Sequence, residues 1–231
     1  MTKNLTIILV HGAWADGSQW KGVIPFIQKA GYVVRAVQLS LSSVEEDVAR
    51  TVDMIENAGS PVLLVGHSYG GIVVTSAGNH KNVVGIVYLA AFAPDTGESL
   101  EMLLGRRQSY GAENIYPDKK GFLWFREEQF HNSLCQDLDA ENGMVLAVCQ
   151  RPIHSVCIGA EMNDPAWKNK KCWYQISTDD QILPAETQNE MAKRMSSEKV
   201  FNLDAGHLSM LSKSQETSSI ILEAASYIEE F

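Results

Sequence analysis

Positive charge is in short supply in this 231-residue chain. Its 19 Lys and Arg face 28 Asp and Glu, a net charge of −9. An acidic surface repels phosphates and anionic headgroups, which makes nucleic acid and membrane surfaces poor partners. The longest basic cluster, Lys168, Lys170 and Lys171, reads as a solvated loop. Long apolar runs are missing as well, since none reaches the roughly 18 residues that a membrane helix needs. The opening stretch Leu5–Val10 is too short for a signal peptide and lacks a small-residue cleavage pattern. Cysteine is sparse: Cys135, Cys149, Cys157 and Cys172 are widely spaced and form no CxxC pair, so zinc and thioredoxin-type chemistry have no support. Buried free thiols in a reducing cytoplasm are the expected state.

Apolar side chains are not scarce. They make up 45% of the chain, against 20% charged residues, which is the ordinary globular range. Short apolar runs rich in Val and Ile occur at 6–10, 32–39, 62–65, 83–90, 172–176 and 199–203. Most lack clean alternation, the pattern of strands covered on both faces. Helical patterns separate them. Leu41, Val44, Val48, Val52 and Ile55 recur at steps of three and four; Ser42 with Glu45, or Ser43 with Glu46, supplies a capping box, and Gly59 with Pro61 the stop. Another helix follows Pro184, and the last presents Ile220, Ile221, Ala224, Ala225 and Ile228 on one face. Strands alternating with helices predict βαβ units and a parallel sheet. Residues 95–170 break the rhythm, with Trp124, Phe125 and Phe130 among many polar residues and short helices expected near 122–135 and 139–150. A stretch this long reads as a helical cap inserted between core segments 1–94 and 171–231.

The sharpest feature is Gly66-His67-Ser68-Tyr69-Gly70-Gly71, which lies between the apolar run ending at Val65 and the helical pattern 72–77. A tight strand-to-helix turn strains the serine backbone and lifts its hydroxyl above the sheet; flanking glycines let strand and helix approach. The helix N-terminus favours developing negative charge. A serine hydroxyl needs a base. His207, in Asp204-Ala205-Gly206-His207, follows the last strand and shares a sheet edge with Ser68. The base needs an orienting carboxylate, and Asp180 follows the strand 172–176, with Asp95 in reserve and Asp179 expected to point away. The Tyr69 N–H and an N–H of the first loop, with Ala13 the choice, would form an oxyanion hole, and Gly12 would let that loop lie beside Ser68.

These segments resemble the α/β-hydrolases over nearly the whole chain. His11-Gly12-Ala13-Trp14, the turn 66–71, Val87 to Pro94, Trp173-Tyr174 through Asp180 and Pro184, and Gly206-His207 carry the likeness. The branch most similar holds small bacterial esterases, plant methyl esterases and hydroxynitrile lyases. The resemblance implies an α/β fold with a sheet of about six parallel strands, helices on both faces and a helical cap. It implies a catalytic Ser68, His207 and Asp180, oxyanion N–H groups from Ala13 and Tyr69, and no cofactor or metal. Candidate pocket residues are Trp14, Trp124, Phe125, Phe130 and Leu208. The branch's lyases carry threonine in place of Gly12 and a lysine in place of Leu208, so the expected reaction is hydrolysis of a small or medium carboxylic ester, by a monomer or homodimer. A lyase, a cofactor-free dioxygenase or a non-catalytic receptor on the same fold stays compatible with the sequence.

Overall fold

The structure is a computed structural model and describes residues 3–195 and 197–230. Its elements in chain order are β1 (Thr6–Val10), α1 (Ile24–Lys29), β2 (Val33–Ala36), α2 (Val44–Glu56), β3 (Val62–His67), α3 (Gly70–Ala77) and β4 (Val83–Leu89). An inserted stretch follows, with α4 (Leu100–Leu104), β5 (Ile115–Pro117), β6 (Phe122–Phe125), α5 (Glu127–Leu134), α6 (Ala140–Val148), β7 (Ile153–His154) and α7 (Val156–Gly159). The chain then returns through β8 (Cys172–Ser177), α8 (Ala185–Arg194), β9 (Lys199–Leu203), α9 (Ser209–Ser212) and α10 (Ser214–Glu230).

Six strands form one parallel sheet in the order β2-β1-β3-β4-β8-β9. Every residue of β1, β3 and β8 is buried. Successive strand side chains point to opposite faces, so uninterrupted burial means that helices cover both. The edge strands β2 and β9 are partly exposed, which matches their mixed composition. Helix α2 starts where its sequence predicts: Ser43 accepts a hydrogen bond from the Glu46 N–H, and Gly59 turns the chain with a φ of +71°. Buried Ile220, Ile221, Ala224 and Ala225 seat α10 on the core.

The connection leaving β1 runs to one side of it and the chain returns on the other at β3. That reversal opens a crevice beyond the carboxyl ends of these strands. Four non-glycine residues with positive φ follow four successive sheet strands at this edge: Trp14 (56°), Leu41 (60°), Ser68 (52°) and Ala90 (42°). Strain of this kind persists only where the surroundings over-determine it.

The stretch between β4 and β8 is not purely helical, contrary to the expectation of a helical cap. Beside short helices it carries a three-stranded antiparallel sheet, β5-β6-β7. Phe122–Phe125, expected within a helix, is its central strand, and the helix begins only at Glu127.

Candidate active site

Ser68 sits on the turn from β3 into α3. Its carbonyl accepts from the N–H groups of Gly71 (2.9 Å) and Phe92 (3.1 Å), which fixes the peptide linking Ser68 to Tyr69. The turn tolerates no side chain at its contacts. A Cβ at Gly70 would overlap the Val10 carbonyl oxygen, and one at Gly12 would stand 2.8 Å from the Ser68 Cβ. The first loop thus lies directly against the serine, as the glycine there predicts.

His207 follows β9 and Asp180 follows β8, so both reach the same sheet edge. The Ser68 hydroxyl donates to His207 Nε2 at 2.8 Å, and His207 Nδ1–H donates to Asp180 Oδ2 at 2.7 Å. A carboxylate can only accept, so Nδ1 carries the proton and Nε2 is left free to receive one. The three residues are 4%, 1% and 8% exposed, in the order Ser68, His207, Asp180. Asp180 is further held by the N–H groups of Ile182 and Leu183, both 2.9 Å from Oδ1, and by Gln188 Nε2, 3.0 Å from Oδ2. Asp95 pairs with Lys168 at the surface, and Asp179 accepts from Gln136 and Gln181; neither faces the histidine.

Gln188 escaped sequence reasoning, because nothing in a helix pattern separates a glutamine facing a carboxylate from one facing solvent. His67 is a second such residue. Its Nε2–H donates to the His207 carbonyl at 2.9 Å, and Nδ1 faces Gln19 Nε2 at 3.3 Å. Burial, then the nearby His207, holds the His67 imidazole well below the usual histidine range, so it stays neutral beside His207.

An apolar cavity of about 220 Å³ opens onto Ser68. Ala13, Trp14, Tyr69 and Phe92 line its sheet side. Leu100, Leu104, Ile115, Leu123 and Ile158 come from the inserted stretch, and Ile182 from the loop after β8. Among the described residues, the Ala13 and Tyr69 N–H groups have no backbone acceptor, although both residues border the cavity beside Ser68. Of the five expected pocket residues only Trp14 lines it. Phe125 and Phe130 are buried behind its wall, where Phe125 meets Trp14 edge-on at 5.2 Å and Phe130 at 5.7 Å. Trp124 faces the other way. As a strand, β6 alternates its side chains, so Leu123 enters the cavity while the Trp124 indole donates to Asp118. Leu208 is buried and is absent from the lining.

A strained serine between a parallel strand and a helix, joined through a histidine to a buried carboxylate at the crevice edge of a doubly wound sheet, is the arrangement by which α/β hydrolases are recognised. This chain belongs to the Alpha/beta hydrolase family, whose sequence pattern matches residues 7–219. It is 25% identical to putative methylesterase 19 of Arabidopsis thaliana, over 93% of this chain and 94% of that one. It is 22% identical to the alpha-hydroxynitrile lyase of the same plant, over 94% and 95% of the two chains. Among solved structures it resembles a pyrethroid hydrolase from Sphingobium faniae JZ-2, with a TM-score of 0.83 and 25% identity, over 98% of this chain and 99% of that one.

Proposed function

We propose that the protein hydrolyses a small or medium carboxylic ester through an acyl-enzyme on Ser68. The observation that carries this reading is the buried chain of hydrogen bonds from the Ser68 hydroxyl through His207 to Asp180, ending at an apolar cavity. His207 Nε2 takes the serine proton as Ser68 Oγ attacks the ester carbonyl. Asp180 holds the imidazole in the required tautomer and stabilises the imidazolium. The negative oxygen of the tetrahedral intermediate lies between the Ala13 and Tyr69 N–H groups, which develop their full effect in dry surroundings. His207 then protonates the leaving alkoxide, and water, deprotonated by the same nitrogen, cleaves the acyl-enzyme.

Segment 95–170 acts as the cap over the core formed by 1–94 and 171–231. Its side chains supply the outer wall of the cavity, and the Trp14 indole N–H is bonded to the Leu123 carbonyl at 2.9 Å across the seam. Four unpaired thiols, three of them buried, favour a reducing, cytoplasmic setting.

Among the described residues no charged side chain lines the cavity. Cyanide leaving a cyanohydrin would find no cation there. Three arginines of the inserted stretch are engaged elsewhere: Arg106 and Arg107 pair with Glu98 and Glu190, and Arg126 lies over the Tyr116 ring. Stopped-flow hydrolysis of p-nitrophenyl acetate and butyrate tests the reading. A p-nitrophenol burst equal to the enzyme concentration, lost in Ser68→Ala, is the expected result, with negligible cleavage of mandelonitrile. Steady hydrolysis that survives in Ser68→Ala, or cyanide release faster than ester turnover, would contradict it.

A further inference from the structure

The most unusual ionisable group outside the triad is Asp47, on the first turns of α2. It is fully buried and has no ion-pair partner among the described residues. A buried carboxylate is costly unless its lone pairs are satisfied. Asp47 Oδ1 accepts from the Ser40 N–H (2.6 Å), the Ser40 hydroxyl (3.0 Å) and the Leu41 N–H (3.1 Å), and Oδ2 accepts from the Tyr69 hydroxyl at 2.8 Å. All four partners donate, and only an ionised carboxylate accepts on every side.

We propose that Asp47 is a positioning residue for the oxyanion hole, holding the Tyr69 arm through the Tyr69 hydroxyl. This rests on the hydrolytic reading of Ser68. Tyr69 immediately follows the nucleophile, and its N–H is one of the two donors. The direction of that N–H depends on the peptide between Ser68 and Tyr69. One end of this unit is fixed by the two bonds to the Ser68 carbonyl, and the other by the buried Tyr69 side chain, whose hydroxyl donates to Asp47. The Cys157 thiol of α7 is near the same hydroxyl, and burial pushes that thiol up to about 11.

The other arm is tied to the same place. The Leu39 N–H donates to His11 Nε2 at 3.1 Å, which leaves the His11 Nδ1–H to donate to the Gly12 carbonyl at 2.8 Å, next to Ala13. Residues 39–41, which include the positive-φ Leu41, therefore hold one arm through His11 and the other through Asp47. The Leu41 carbonyl in turn accepts from the His154 N–H of β7 at 2.8 Å, which carries the connection into the inserted stretch.

The test compares Tyr69→Phe, Asp47→Asn and the double variant with the wild-type chain on p-nitrophenyl acetate. If the wild-type chain shows no Ser68-dependent hydrolysis, the hydrolytic reading fails before the variants are compared. Removing an oxyanion donor outright costs about 10²–10³ in kcat; misaiming one should cost about 10-fold, with KM within about twofold of wild type. Affinity for a trifluoromethyl ketone, whose serine adduct carries the oxyanion, should fall by the same factor in Tyr69→Phe. The double variant should lose no more than Asp47→Asn alone, because one change acts through the other. Tyr69→Phe removes a single oxygen and decides the matter should Asp47→Asn fail to fold. A folded Tyr69→Phe with wild-type kcat and ketone affinity, a loss confined to KM, or multiplicative losses in the double variant would each overturn the proposal.

Discussion

His207 takes its carboxylate partner from the loop that follows β8. Asp95, Asp179 and Asp180 all follow sheet strands, and of the three it is Asp180 that faces the histidine. Its Oδ2 lies 2.7 Å from His207 Nδ1, while Asp95 is tied to Lys168 and Asp179 to Gln136. Asp180→Asn turns an obligate acceptor into a group that can present N–H to His207 and favours the wrong tautomer. It should lower kcat on a p-nitrophenyl ester by on the order of 10³–10⁴. Asp95→Asn, at a half-buried position paired with Lys168, and Asp179→Asn, at an exposed one, should stay within about threefold of wild type. A greater loss in Asp95→Asn than in Asp180→Asn would reassign the acid. That Ser68, His207 and Asp180 share one sheet edge was legible because each follows a strand of a parallel sheet. Gln188, His67 and Asp47 were not, because their roles depend on which buried polar atoms meet across 8 to 140 residues of chain, and no local pattern encodes that.

At the scale of elements, the sheet was readable and the inserted stretch only in part: the helix expected at 139–150 is α6 (Ala140–Val148), whereas the small sheet β5-β6-β7 was not foreseen. A parallel strand buried on both faces writes itself as a run such as Ile7-Ile8-Leu9-Val10. Phe122-Leu123-Trp124-Phe125 is also a continuous apolar run, and four residues carry too little periodicity to separate strand from helix. That ambiguity reversed the expected pocket lining, since strand alternation sends Leu123 rather than Trp124 toward Ser68. Leu123→Ala should enlarge the cavity and shift preference toward longer acyl chains, by several-fold in kcat/KM of p-nitrophenyl octanoate over acetate, as one or two methylenes of apolar contact are worth roughly 1–3 kcal/mol. Trp124→Ala should leave the ratio as in wild type. A shifted ratio in Trp124→Ala with none in Leu123→Ala would mean that the strand presents its other face.

At the scale of the whole molecule, buried histidines make stability depend on pH. Burial pushes His11 down to about 4, and His67 lies well below the ordinary value for the same reason. Both are neutral in the folded protein at pH 5 to 6, whereas in the unfolded chain they take up protons near pH 6.5. The unfolded state binds more protons as pH falls from about 6.5 towards 4, so stability declines through that window. His11 alone should contribute a loss of roughly 2 kcal/mol by pH 5. Guanidinium unfolding midpoints at pH 7.5, 6 and 5 should fall in that order, and less steeply in His11→Gln. Equal midpoints would mean that neither ring resists protonation in the folded state.

The proposed nucleophile is the Ser68 hydroxyl, at the crevice beyond the carboxyl ends of β1 and β3. The direct test is to incubate the whole chain with a fluorophosphonate and map the adduct by peptide mass spectrometry. The account predicts one adduct per chain on Ser68, slowed severely in His207→Ala and absent in Ser68→Ala. Labelling at another serine, or none on Ser68 in a folded chain, would contradict it.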